Sequence, residues 1–138
     1  MPIVFKSISS TLSTSSSSWV NISGLSISVN EQAFQGSSKA LVILNIPTPY
    51  ATGSDYPGIE FAITMNSTVL ASGAMSYSDK SPSNPGRTPF TLQTCIDLTN
   101  IENLGAIQAQ WRSIRGSTAH IDSYCSISAI INEVQPGH

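Results

Sequence analysis

Apolar residues along this chain recur at every second position, in short runs separated by clusters of Pro, Gly, Asn, Asp and Ser. After Trp19-Val20-Asn21-Ile22, residues 25–29 (Leu-Ser-Ile-Ser-Val) alternate with period two, the signature of a half-buried strand. From Gly58 onward, Ile59, Phe61, Ile63 and Met65 fall on one side and Glu60, Ala62 and Thr64 on the other; Asn66-Ser67 then turns into residues 68–71. Residues 40–46 are nearly all apolar and stop at Pro47, which predicts a short strand covered on both faces. Residues 89–96, 106–114 and 121–131 complete the set, with turn clusters at 47–58, 78–87 and 100–105. No segment of ten or more residues holds its apolar positions at helical spacing. Eight to ten short strands at these spacings predict an all-β fold, an antiparallel sandwich or jelly roll.

The 138 residues predict one domain spanning 1–138, with an N-terminal strand and Ser-rich segment in 1–18 and a tail expected to fray at 133–138. A hydrophobic share of 40% with a net charge of −2 supports a packed core and excludes a disordered chain. Only 10% of residues are charged, which excludes a nucleic-acid binder, because such a surface needs many cations to release counterions. The chain instead carries 25 Ser and 11 Thr, so hydroxyls rather than charges keep it in water. No run approaches the roughly 20 apolar residues needed to span a bilayer, and no membrane insertion is expected. The first residues, Met-Pro-Ile-Val-Phe-Lys, lack the apolar run of a signal peptide. The expectation is synthesis in the cytoplasm and action outside the cell or at its surface after non-classical release. Cys95 and Cys125 are too few for a disulfide framework. In strand phase Cys125 shares a core-like side with Ile121, Ile127 and Ala129, and Cys95 a polar side with Thr91, Gln93 and Asp97, which predicts two free thiols.

Candidate catalytic chemistry is thin. His120 and Asp122 leave one face of a predicted strand, and Ser117 is close by. A Ser-His-Asp triad also needs a defined hydrogen-bonded chain and an oxyanion hole, and no nucleophile elbow surrounds any Ser. Nor do the His, Cys and carboxylates cluster at metal-ligand spacing, so neither cofactor nor metal is expected. The unusual feature is the arginines. Arg87, Arg112 and Arg115 are half of all cations in a chain that otherwise avoids charge. A guanidinium offers planar donor pairs that match adjacent sugar oxygens, and Tyr50, Tyr77, Tyr124 and Trp111 offer apolar faces beside them.

Several blocks carry a family resemblance: residues 45–53 (Asn-Ile-Pro-Thr-Pro-Tyr-Ala-Thr-Gly), Pro57-Gly58-Ile59, Phe61-Ala62-Ile63, Gly86-Arg87, Pro89-Phe90-Thr91-Leu92, Gln110-Trp111, Arg115-Gly116-Ser117 and residues 120–124 (His-Ile-Asp-Ser-Tyr). Together, from about Trp19 to Ile131, they resemble the TNF-like, fucose-binding lectin domain at the N-terminus of a bacterial two-domain superlectin. The resemblance implies a jelly-roll protomer in a homotrimer, with metal-free sugar sites between neighbouring protomers. It implies that Arg87 and Arg115 hold the sugar, that Tyr50 and Tyr77 line the fucose, and that Ser76 keeps a hydroxyl where the family has Thr. His120 and Asp122 match residues that meet the rest of an oligosaccharide. The chain departs from the family at Asn84-Pro85, where a Ser-Thr pair stands, and in the pocket beside the fucose, where Glu60 replaces a Tyr and Ser72 an Asp. The implied activity is non-enzymatic recognition of fucosylated glycans by a trimer. Two other classes share the sandwich: a structural or adhesin subunit, and a TNF-like or complement-like trimer that binds a receptor protein.

Overall fold

A computed structural model describes residues 3–29, 39–80, 88–98 and 105–132. Eleven strands account for most of them: β1 (Ile3–Ser7), β2 (Leu12–Thr14), β3 (Val20–Ser28), β4 (Lys39–Ile46), β5 (Tyr50–Thr52), β6 (Gly58–Met65), β7 (Thr68–Ser76), β8 (Phe90–Asp97), β9 (Ala106–Ile114), β10 (Thr118–Ile121) and β11 (Ser126–Ile131). Leaving aside the short β2, β5 and β10, eight strands pair from the outside in: β1 with β11, β3 with β9, β4 with β8, and β6 with β7, all antiparallel. That nesting is the jelly roll. It forms two four-stranded sheets, β1-β11-β4-β8 and β3-β9-β6-β7, while β2-β10-β5 make a small third sheet.

The alternation seen along the chain becomes the core. Ile59, Phe61 and Ile63 from β6, Ile22 and Ile27 from β3, Leu44 and Ile46 from β4, and Ile127 and Ile131 from β11 are fully buried between the sheets. Phe61 anchors the packing, its ring centroid 4.9 Å from that of Phe90 and 6.3 Å from that of Trp111. Each such side chain withdrawn from water contributes about 1.5–3 kcal/mol of hydrophobic stabilisation.

The structure corrects the sequence reading at four places. Residues 121–131 are not one strand: β10 ends at Ile121 and β11 begins at Ser126, because the chain leaves the small sheet for a large one. The turn between them is held by Tyr124 N–H donating to the Ile8 carbonyl (3.2 Å) and Ile8 N–H donating to that of Cys125 (3.1 Å). Residues 20–28 form one strand rather than two, with a register shift between Asn21 and Ser26 that Gly24, at φ +89°, makes possible. The apolar strand β4 is buried on one face only; Leu41, Ile43 and Asn45 on its other face are half-buried, since no second layer covers that side among the described residues. Finally, β2 and β5 are three residues each, too short to carry a periodic signal.

The cysteines fall on the faces expected. Cys125, Ile121, Ile127 and Ala129 are all fully buried, Cys95 is exposed, and both thiols are free. Burial, with a smaller push from the Asp122 carboxylate, raises the Cys125 thiol to about 11. Since the ordinary thiol value of 9.0 applies on unfolding, the folded state holds the proton more tightly. The associated stability is whole below pH 9 and is lost as the pH rises towards 11. Iodoacetamide at pH 8.5 should therefore leave Cys125 unmodified in the folded protein and alkylate it in denaturant, as peptide mass mapping would show. Alkylation at equal rates in both states would contradict the burial.

Candidate functional site

One group of candidate residues gathers where β6 begins, β7 ends and β9 turns into β10. The β9–β10 turn closes through Ser117 N–H donating to the Ile114 carbonyl (3.2 Å), with Arg115 (φ +55°) and Gly116 (φ +69°) in left-handed conformations at its tip. The buried Ser117 hydroxyl lies 2.7 Å from the Ile114 carbonyl and 2.9 Å from that of Gly58, and it accepts from Gly58 N–H at 3.3 Å. Only glycine fits at position 58, where a Cβ would stand 2.6 Å from the Met75 carbonyl oxygen. Ser76 faces Gly58 across the β6–β7 ladder, and Tyr77 N–H donates to the Pro57 carbonyl at 2.9 Å. Arg115, Ser76 and Tyr77 thus all adjoin the loop at residues 56–58.

Arg115 is presented, not neutralised. Its Nε donates to the Tyr56 carbonyl at 2.7 Å, and its guanidinium carbon lies 5.9 Å from the Tyr56 ring centroid. Among the described residues its two terminal nitrogens donate to no partner and no carboxylate bridges it. Arg112 is the opposite case. It stands across β6–β9 from Glu60, bonds the carboxylate at 2.9 Å, and lies 4.4 Å over the Trp19 ring. Glu60 is therefore held by an arginine at the sheet surface, and exposed Ser72 lies one row along, opposite Ala62.

A second group lies on the small sheet. Tyr50 of β5 stands opposite His120 of β10, and their rings stack at 4.5 Å with planes 9° apart. Thr52 Oγ1 and His120 Nε2 share a hydrogen bond of 3.2 Å, and Asp122 Oδ2 accepts from Thr48 Oγ1 at 3.1 Å. A cavity of about 190 Å³ opens here, lined by Thr11, Leu12, Ser13, Tyr50, His120, Ile121 and Asp122. That is smaller than the roughly 300–1,000 Å³ of drug-sized ligand sites and suits a small polar group. The sequence pointed to Tyr50, His120 and Asp122 but missed Thr11 and Ser13, because a serine-rich run has no periodicity from which to read a wall. It missed Tyr56 as well, whose only local signal was its place in a turn cluster between Gly53-Ser54-Asp55 and Pro57.

Asn84, Pro85 and Arg87 lie outside the described residues, so of the two sugar-holding arginines implied by the resemblance only Arg115 is placed. Ser117 cannot serve as a nucleophile in this arrangement: its hydroxyl is tied to the backbone, while His120 faces Tyr50 and Thr52. Among the described residues no three His, Cys, Asp or Glu gather as a metal-ligand set.

In comparisons with known proteins, the search of curated sequences finds no match. Among solved structures, the chain is similar to an insecticidal delta-endotoxin from Bacillus thuringiensis, at 15% identity and a TM-score of 0.48 over 89% of this chain and 20% of that one. It thus spans about a fifth of the endotoxin's length. It is also similar to the Eiger TNF of S. frugiperda, at 11% identity and a TM-score of 0.48 over 100% of this chain and 98% of that one. The family model described as "Bc2l-C, N-terminal domain" matches residues 9–130. Nearly the whole sandwich falls inside that match, and the chain belongs to the family of the Bc2l-C N-terminal domain, the TNF-like lectin domain that its Pro-Tyr-Ala-Thr-Gly and Arg-Gly-Ser blocks resemble.

Proposed function

We propose that this protein is a non-enzymatic, metal-independent lectin that binds fucose and fucosylated oligosaccharides at sites between the protomers of a homotrimer. The observation that carries the reading is the presentation of Arg115. A cation fixed through Nε to a backbone carbonyl, 5.9 Å from a tyrosine ring centroid and with no carboxylate partner among the described residues, offers its terminal N–H pair to an uncharged acceptor. Neighbouring hydroxyls of a sugar are such an acceptor pair. Ser76 and Tyr77 adjoin the same loop, Ser76 opposite Gly58 and Tyr77 bonded through its backbone to Pro57, and carry a hydroxyl and a phenol suited to a sugar. The Tyr50–His120 stack and the Asp122 carboxylate line a polar cavity suited to a further sugar unit. Residues of two protomers would meet at each site, and the lectin would act outside the cell, where fucosylated glycans are displayed.

Support for the trimer comes from the outer face of the β1-β11-β4-β8 sheet. Across it, Ile3 stands opposite Ile130, Ile130 opposite Leu41, and Leu41 opposite Cys95. The next row is Phe5, Ser128, Ile43 and Gln93, and the third is wholly polar: Ser7, Ser126, Asn45 and Thr91. Ile3 and Phe5 are 65% and 61% exposed in the single chain. An apolar patch that fades into a polar rim suits burial between subunits, and three heterologous contacts close a ring.

A glycan array tests the sugar class directly. Fucosylated structures should dominate it; binding to none of them would overturn the reading. Dialysis against EDTA should leave fucose affinity unchanged, because the proposed contacts are hydrogen bonds from side chains. Loss of binding restored by calcium would place a metal in the site.

A further inference from the structure

We infer that Tyr56 is a positioning residue for the Arg115 guanidinium, and that its ring helps set the affinity of the sugar site; the inference rests on the fucose-binding reading above. Tyr56 and Arg115 are non-glycine residues in the left-handed region, at φ +47° and +55°, brought together from 59 positions apart by a bond of 2.7 Å. A loop shaped for stability alone would place glycine or asparagine at such an angle. Tyr56 is 51% exposed and stands outside the hydrophobic core, and its ring has the Arg115 cation as partner. The ring thus contributes little to the fold.

Its neighbours, by contrast, are fixed. Pro57 holds the backbone of Tyr77, and Gly58 is gripped by the buried Ser117 hydroxyl. Tyr56 therefore projects from a rigid base, with its carbonyl bonded to Nε of the guanidinium and its ring centroid 5.9 Å from the guanidinium carbon. An arginine side chain has large rotamer freedom, and a donor pair that must be ordered upon binding costs affinity. The carbonyl–Nε bond belongs to the backbone and does not need the Tyr56 side chain; the ring contact does.

Calorimetry with fucose on the full chain tests this, with thermal unfolding alongside. Tyr56→Asn accepts the left-handed backbone and removes the ring. It should weaken fucose about three- to five-fold, the scale of an exposed cation–π contact, while its Tm holds or rises. Tyr56→Leu, apolar but without a quadrupole, should lose as much, and Tyr56→Phe should retain affinity within about two-fold. In the ligand-free protein, the Arg115 Nε–H NMR resonance should carry a ring-current shift that Tyr56→Asn removes. Fucose affinity unchanged in Tyr56→Asn and Tyr56→Leu overturns the inference. If the wild type itself fails to bind fucose, the lectin reading falls, and the resonance decides positioning alone: unchanged in Tyr56→Asn, it overturns the inference too.

Discussion

Arg115→Ala should abolish measurable fucose binding and leave the fold in place. A hydrogen bond from a charged donor contributes about 1.5–3 kcal/mol, or roughly ten- to a hundred-fold in affinity. Binding of a single sugar starts weak and has little to lose. The Arg115 side chain is exposed and outside the core, so the Tm should shift by only a few degrees. Lysine should rescue poorly, since a point charge replaces a planar fork. The same loss is expected of Arg87→Ala. Arg112 is the internal control. Three residues from Arg115, it is occupied by Glu60 and Trp19; its removal forfeits a surface ion pair of about 0–1 kcal/mol and a cation–π contact of about 0.5–1 kcal/mol. Calorimetry finding Arg115→Ala like wild type and Arg112→Ala without binding would reverse the assignment of the site.

A larger change is expected at the outer sheet. The wild type should scatter light as three copies of its 14.6 kDa chain, and Phe5→Asp or Ile43→Arg should dissociate it to monomers. Phe5 is 61% exposed in the single chain and Ile43 is half-buried on the outer face, so neither change disturbs the core. Both instead put a charge into the face that the ring would cover, where an unpaired ion is strongly unfavourable. If sites form between protomers, fucose binding should disappear with the trimer although Arg115 is untouched. A wild type that is monomeric at micromolar concentration would remove the assembly and the shared site with it. A monomeric variant that still binds fucose would confine the site to one chain.

Much of the sandwich was legible in the chain because a strand writes its burial locally. Ile59, Phe61 and Ile63 needed only the two-residue period to be placed in the core, and Cys125 kept phase with Ile127 and Ala129 even though a turn separates it from Ile121. The candidate site was legible in part. Arg115, Tyr77, Tyr50 and His120 were marked by residue type and by family resemblance. Thr11 and Ser13 were not, since hydroxyls in a serine-rich run look alike until β2 pairs with β10 and turns some of them into the wall of a cavity. The half-exposed outer face of β4 was read as covered, because an apolar run states only that its residues avoid water and not what shields them.

By itself, then, the sequence determined the all-β class, the inward faces of the long strands, the low charge and the placement of arginines among aromatics. Side-chain alternation and turn chemistry act over a few neighbouring residues, so they are present before the chain folds. The resemblance singles out Arg115, and only the tertiary structure gives the physical reason that it, and not Arg112, is available. By residue type Arg112 and Arg115 are alike, but the β6–β9 register sets Glu60 opposite the first, while the β9–β10 turn sets the second against the Tyr56 carbonyl. Those partners lie 52 and 59 residues away along the chain. Whether a charge is cancelled or offered to a ligand depends on what stands within a few ångströms of it, and such distances exist only once the strands have paired.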